Sequence, residues 1–481
     1  MAGNSFLSNF SFTFVLNLAV KLFWVLGIEV TVQNILGTTV YGAYFELFQF
    51  TYLFFIILDL GLSNYNSRVL AGDATRLKEL FSSMLTIKMG LSIVYLLVLF
   101  FASLLVGYSY EKRAMVMFIG INQVLLSLML YLRSNVSALH FFRADALLSV
   151  LDRFIMGLLC AGLIWLPFFR DHFSLYTFLF VQLIGYLSAV SVALAVVMRR
   201  GVKISFRWDG RTFTDILKKS YPFAILFTLM SLYTRIDAVM LGRLLPDGEF
   251  HAGVYASAFR LLDACIIFAV LLSNLLLPMF SRMISRKEKV DGLVRESYQI
   301  VLIAATILPF AFYFYSKPFY TFLYHENPEY GSEVFGLLFF NFIPMAFGYI
   351  FGTLLTAGNR LFVLNGISIA GLALNVLLNL LLIPAMQAKG ATIATLITQS
   401  FVTLSAAVFS VRYFRLRVQD FLNARMLMYL FATAASFFLF SRYVPDWLPG
   451  VALSVLASLA FAWVFRLVRP EEIRSLFRPK A

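Results

Sequence analysis

Arg235 and Asp237 stand inside one strongly apolar segment, and Arg260 and Asp263 stand inside the next, with the turn LLPDGEFHAG (Leu244–Gly253) between them. A charge in an apolar run is costly at membrane depth, so such residues face a bundle interior or a wet cavity. A guanidinium presents a planar fork that matches phosphate oxygens through two parallel hydrogen bonds. Arg235 and Asp237 are two apart and point to different helix faces, so they do not simply neutralise each other. Arg235 is therefore the first candidate for a contact to an anionic substrate. Arg260 and Asp263 are three apart and can pair locally, either beside a substrate or as a tie between helices. Near the N-terminus, Asn17, Lys21 and Trp24 recur at spacings of four and three and share one face. That face reads as a polar stripe along a lumen, or as a packing seam in which Lys21 is paired to a buried acid. Glu29, Glu46 and Asp59 are the other acids at membrane depth. With Asp237 and Asp263 they are candidates for carrying Na⁺ or H⁺, or for serving as counter-ions to Lys21 and Arg235.

No enzyme constellation accompanies these charges. The four histidines, His140, His172, His251 and His325, are scattered, and the sequence has no metal-ligand spacing, P-loop or nucleophile elbow. Neither a catalytic residue nor a metal or other cofactor is expected, apart from Na⁺ or H⁺ as a coupling ion. Without an ATP site, the energy for any movement comes from a gradient, the membrane potential or the substrate itself. Cys160 and Cys265 lie within apolar runs and imply no disulfide framework.

The elements that must position these residues are apolar helices. The chain has 481 residues, 61% hydrophobic and 13% charged, with mean hydropathy +0.84. Soluble domains carry roughly twice that charged fraction. Apolar runs of spanning length recur to the end, which predicts an all-α polytopic membrane protein with about fourteen transmembrane helices. The first six run over about 10–35, 43–64, 83–106, 114–136, 146–168 and 173–198. The next six run over about 221–242, 253–280, 298–319, 334–356, 362–384 and 390–413. Two more cover about 421–442 and 447–465. Pro309 and Pro344 fall inside two of these runs and mark static kinks. The opening MAGNSFLSNF has no Lys or Arg and no small-residue cleavage site, so a signal peptide is not expected.

Lys and Arg in alternate loops and their flanking helix ends number 28 on one side and seven on the other. By the positive-inside rule this predicts a multi-pass protein of the cell inner membrane with both termini cytoplasmic. The formal charge of +14 then reflects loops beside anionic lipid; nucleic acid is not an expected partner. Lys21, Lys88, Arg235 and Arg260 fall outside both counts. Lys88 is placed near the cytoplasmic end of the third helix, where it can snorkel.

The chain also repeats. YGAYFELFQF (Tyr41–Phe50) and AGVYASAFRL (Ala252–Leu261) each follow a helix ending in Leu-Gly, and both second helices run to Ser-Arg, at Ser67-Arg68 and Ser281-Arg282. Two pseudo-repeated six-helix lobes are expected: 1–198, then a basic cytoplasmic loop at 199–219, then 220–414. Helices thirteen and fourteen and a tail occupy 415–481. Substrate sites in such repeats lie at the lobe interface, and Thr228–Asp263 reads as one wall of a transport path.

Three stretches resemble the O-antigen-type polysaccharide flippases of the multidrug/oligosaccharidyl-lipid/polysaccharide (MOP) exporter superfamily. They are RIDAVMLGRLL…AGVYASAFRLLD (Arg235–Asp263), DLGLSNYNSR (Asp59–Arg68) and Leu354–Ser400. The last carries Asn375, Asn379, Ile383-Pro384 and then Gly390, Ala391, Ala394 and Thr395. The resemblance implies two lobes around a central cavity and alternating access for a polyprenyl-diphosphate-linked oligosaccharide, in polysaccharide and lipopolysaccharide biosynthesis. The implied partners are that lipid-linked oligosaccharide, membrane lipids and other polysaccharide-assembly membrane proteins. On that reading Lys21 and Arg235 meet the diphosphate, Arg260 and Asn17 add polar contacts, and Trp24 offers a ring to a sugar face. Two rivals differ in lumen and loops. A cation-coupled multidrug extruder of the same superfamily calls for a mainly acidic and aromatic lumen. A glycan polymerase or ligase calls for a large external loop with clustered Arg and His, whereas the longest external loop here, near Lys317–Glu333, is short and acidic.

Overall fold

A helix closes its own backbone hydrogen bonds, which is why apolar runs in lipid fold this way. The computed structural model describes residues 16–17, 19–72, 77–139, 141–166, 172–199, 205, 210–421 and 423–467. The first fifteen residues, residues 200–204 and 206–209 of the basic loop, and the tail after Leu467 lie outside them. Among the described residues there is no strand. The chain forms two compact units, Met1–Val239 and Met240–Ala481.

The first unit opens with α1 (Ala19–Leu36), wound as a π-helix over Phe23–Glu29. Gly37, at φ 81°, turns the chain into α2 (Thr38–Leu53). A 3₁₀ turn (Phe55–Leu58) and α3 (Leu62–Gly72) follow. Then come α4 (Leu77–Leu105), α5 (Tyr110–Ala138), α6 (Phe142–Trp165) and α7 (Leu175–Met198). Two starts are capped by serine: Ser109 accepts from the Lys112 N–H and Ser174 from the Thr177 N–H. The next helix, α8 (Gly210–Leu244), contributes its residues up to Val239 to this unit.

The second unit holds α9 (Gly248–Ser285), α10 (Asp291–Phe314), α11 (Ser316–Leu323), α12 (Pro328–Phe339), α13 (Phe342–Ala357), α14 (Leu361–Phe414), α15 (Ala424–Tyr443) and α16 (Trp447–Val464). Pro309 lies inside α10. Pro344 instead sits in the first turn of α13, where a missing N–H costs nothing, and its carbonyl accepts from Thr403 Oγ1 at 2.7 Å. Trp447 packs edge-on against Phe319 at 4.9 Å, fastening α16 to α11.

Among the described residues there are twelve spans long and apolar enough to cross a membrane, one of them formed by α12 and α13 together. One of these, α14, breaks at Gln387 (φ 55°, ψ −132°), three residues past Pro384, so its two legs are separate spans. The second span expected from the sequence is absent from the twelve because it is broken between Leu53 and Leu62. Counting the extra leg and the broken span restores the fourteen expected.

Candidate functional site

The broken helix shapes the site. Leu60 and Gly61 both take positive φ, 45° and 85°, which ends one helix and starts another without a proline. Asp59 caps the new start: it accepts from the Ser63 hydroxyl and, at 3.4 Å, from the Ser63 N–H. Carbonyls freed by the break need donors, because lipid supplies none. Tyr95 donates to the Thr51 carbonyl at 3.1 Å while its oxygen stands 2.6 Å from Gln123 Oε1, and Gln123 donates to Thr51 Oγ1 at 2.8 Å.

Lys88 serves the Leu58 carbonyl. The sequence places this lysine where it can snorkel, and the structure corrects that: Lys88 is 1% exposed. Its ammonium donates to Leu58 O at 3.0 Å, Asp59 Oδ1 at 2.7 Å and Ser127 Oγ at 2.6 Å, which uses all three N–H bonds. A freed carbonyl, a carboxylate and a hydroxyl take the place of water around the ammonium.

Beside this knot lies a cavity of about 560 Å³ within the first unit. Asp59, Ser67, Ser127, Arg133, Ser137 and Asp145 supply its polar lining, and Phe55, Leu226, Phe227 and Met230 much of its apolar lining. Arg133 Nε donates to Asp145 Oδ1 at 2.9 Å, joining α5 to the first turn of α6.

Arg235 is one step removed. Its guanidinium lies 4.0 Å from the Tyr52 ring, and its Nη1 donates to Gln49 Oε1 at 2.8 Å. Tyr52 in turn stacks on Phe55, a cavity-lining residue, at 4.9 Å and 3°. Arg235 is half-buried, and among the described residues its other N–H groups have no hydrogen-bond partner. Cation–π contact with Tyr52 fixes the plane of the fork.

The remaining residues singled out in the sequence fall elsewhere. Asn17 bonds Ser149 of α6 at 2.9 Å, and Trp24 is buried, stacked on Phe178 at 6.3 Å with Arg153 5.2 Å from its ring. That face of α1 thus meets α6 and α7, with Lys21 half-buried and partnered on it. Glu46, fully buried, accepts from Tyr108 at 2.9 Å and Lys112 at 3.3 Å. The cations facing Glu46 and Asp59 are therefore Lys112 and Lys88, in addition to any contact with Lys21. Glu29 and Asp237 are buried and partnered. Arg260 and Asp263 lie one turn apart on α9 in the second unit, both half-buried and partnered. Lys88, Arg133 and Asp145 were missed. The signal for Lys88 was DLGLS, where a glycine stands two residues after an aspartate inside an apolar run.

Comparison with known proteins fits this architecture. A family model described as polysaccharide biosynthesis protein matches residues 6–284. An uncharacterised membrane protein of Methanocaldococcus jannaschii is 26% identical over 190 residues, 40% of this chain and 44% of that one. The alignment thus spans under half the length of that relative. Among solved structures, the lipid II flippase MurJ in an inward closed conformation superposes with TM-score 0.73 at 14% identity, over 98% of this chain and 99% of its own. An inward-facing multidrug resistance MATE family transporter of the MOP superfamily gives 0.63 at 14% identity, over 82% and 94%. A MOP superfamily transporter of Pyrococcus furiosus, described as having a binding pocket of reversed polarity, gives 0.56 at 15%, over 85% and 93%. These likenesses establish the fold.

Proposed function

Because the chain belongs to the polysaccharide biosynthesis protein family, we propose that it carries a polyprenyl-diphosphate-linked oligosaccharide across the cytoplasmic membrane by alternating access. The two six-helix lobes, 1–198 and 220–414, are the moving bodies, and the basic loop between them is cytoplasmic. The observation that carries the reading is Arg235: a guanidinium within an apolar span, held by Tyr52 and Gln49, whose other N–H groups have no partner among the described residues. A diphosphate on its way through lipid is matched by such a fork, and the cavity nearby adds serine hydroxyls. The cavity does not favour an organic cation. Its two acids, Asp59 and Asp145, are each matched by a cation, Lys88 and Arg133.

Arg235→Ala is expected to abolish surface-glycan export while the protein inserts at a normal level. Arg235→Lys should restore export only in part, since an ammonium is a point charge. Lys21→Ala should lower export less. Intact export in Arg235→Ala at matched expression would remove Arg235 from the path.

A further inference from the structure

We propose that Arg133 is a phosphoanion-binding residue of the cavity, aimed by Asp145, and that its ligand is the phosphate-ester head of an amphipathic lipid; the assignment to the cargo's own diphosphate rests on the transport reading above. The bond to Asp145 uses only Nε, at 2.9 Å. Among the described residues this is the only hydrogen-bond or ion-pair partner of Arg133, so both terminal nitrogens are uncommitted. They are not sealed in, because the Arg133 and Asp145 side chains are each 21% exposed and line the cavity. A guanidinium tied at one edge is held in plane and presents its far edge as a ready fork, which is the geometry a phosphate or diphosphate takes. Asp145 keeps part of its charge engaged by the N-terminus of α6, so it orients Arg133 without consuming its donors.

The surroundings narrow the ligand. Ser137, one turn beyond Arg133 on α5, and Ser67 on α3 add hydroxyl donors to the lining. The part of the lining given by α8 is apolar: Leu226, Phe227 and Met230. An anion with hydrocarbon attached uses both kinds of surface; a free phosphate uses one. Arg133 and Asp145 flank the connection from α5 to α6, at the end of the bundle that the Lys and Arg distribution assigns to the cytoplasm, where such a lipid head would enter. Two lipids offer this chemistry, a polyprenyl diphosphate and a bilayer phospholipid.

The full chain in detergent micelles would be titrated calorimetrically with farnesyl diphosphate and, separately, with a short-chain phosphatidylglycerol. Arg133→Gln is expected to raise the Kd for farnesyl diphosphate about tenfold or more, the effect of losing charge-assisted bonds. Arg133→Lys should raise it less at an unchanged melting temperature. Asp145→Asn, which still accepts from Nε, should bind near normally, whereas Asp145→Ala should bind weakly. A merely structural pair would lower stability in these variants and leave the Kd of the folded protein alone. An unchanged Kd in folded Arg133→Gln overturns the proposal, as does wild-type protein that binds neither lipid. Arg133-dependent binding of phosphatidylglycerol alone upholds the phosphoanion site and assigns it to bilayer lipid. Failure of the transport reading looks different: farnesyl diphosphate binds through Arg133, yet vesicles bearing the protein move no lipid-linked glycan.

Discussion

At the scale of single residues, Lys88 and Asp59 differ in what each leaves behind when removed. Lys88 is 1% exposed and the Asp59 side chain 24%. Asp59→Asn strands a buried ammonium, which costs about 3–5 kcal/mol when a buried pair is broken. Lys88→Met strands a carboxylate that still has Ser63 and partial access to water, and Ser127 still stands 3.2 Å from the Leu58 carbonyl. Melting temperatures in detergent should therefore rank wild type above Lys88→Met and Lys88→Met above Asp59→Asn. The double variant should recover part of the Asp59→Asn loss. A double variant as unstable as the sum of the singles would show that the pair does not hold the break. Sequence reasoning identified Asp59 and Arg235 because each is a charge inside an apolar run. It gave Arg133 to the loops, since a basic residue near a helix end reads as an interface anchor. Only folding shows that Asp145, twelve residues on across a turn, takes the Nε edge of it.

At the scale of elements, the site exists because one span, broken between Leu53 and Leu62, is not a plain helix. The apolar runs reveal the spans themselves, because length and hydropathy suffice. They do not reveal the break at Phe54–Gly61, which no proline marks and which depends on donors from α4 and α5. The break at Gln387 was legible as the boundary between two runs, with Pro384 before it and Gly390 after. Gly390 is fixed by close approach: a Cβ there would meet the Leu382 carbonyl oxygen at 2.2 Å and its carbon at 2.5 Å, backbone that has no rotamer to yield. Gly366, on the first leg of the same helix, is exposed and would place a Cβ within 4 Å of nothing. Gly390→Ala should lower the melting temperature and impair export. Gly366→Ala should match wild type or exceed it, because alanine is about 1 kcal/mol better than glycine in a helix. Equal behaviour of the two would refute the close approach of the legs.

At the scale of the whole molecule, family and fold agree with a membrane carrier, and the distribution of basic residues gives it a direction. Arg133, Ser137 and Asp145 lie at the ends of α5 and α6 that adjoin loops on the side richer in Lys and Arg. If that side is cytoplasmic, the Arg133 end of the cavity faces the cytoplasm, as the proposed transport of a lipid-linked glycan made there requires. Ser205 is a described point of the long basic loop, ahead of α8. It is exposed, and its N–H bonds Ser82 Oγ at 3.3 Å, which sets the loop beside the start of α4. A cysteine there keeps the backbone bond. In a chain lacking Cys160 and Cys265, an impermeant thiol reagent should label Ser205→Cys only after the membrane is opened. Glu326→Cys, in the exposed turn between α11 and α12, should be labelled in intact cells. The reverse pattern would turn the molecule over and put the Arg133 end of the cavity outside, where a carrier exporting from the cytoplasm has nothing to collect.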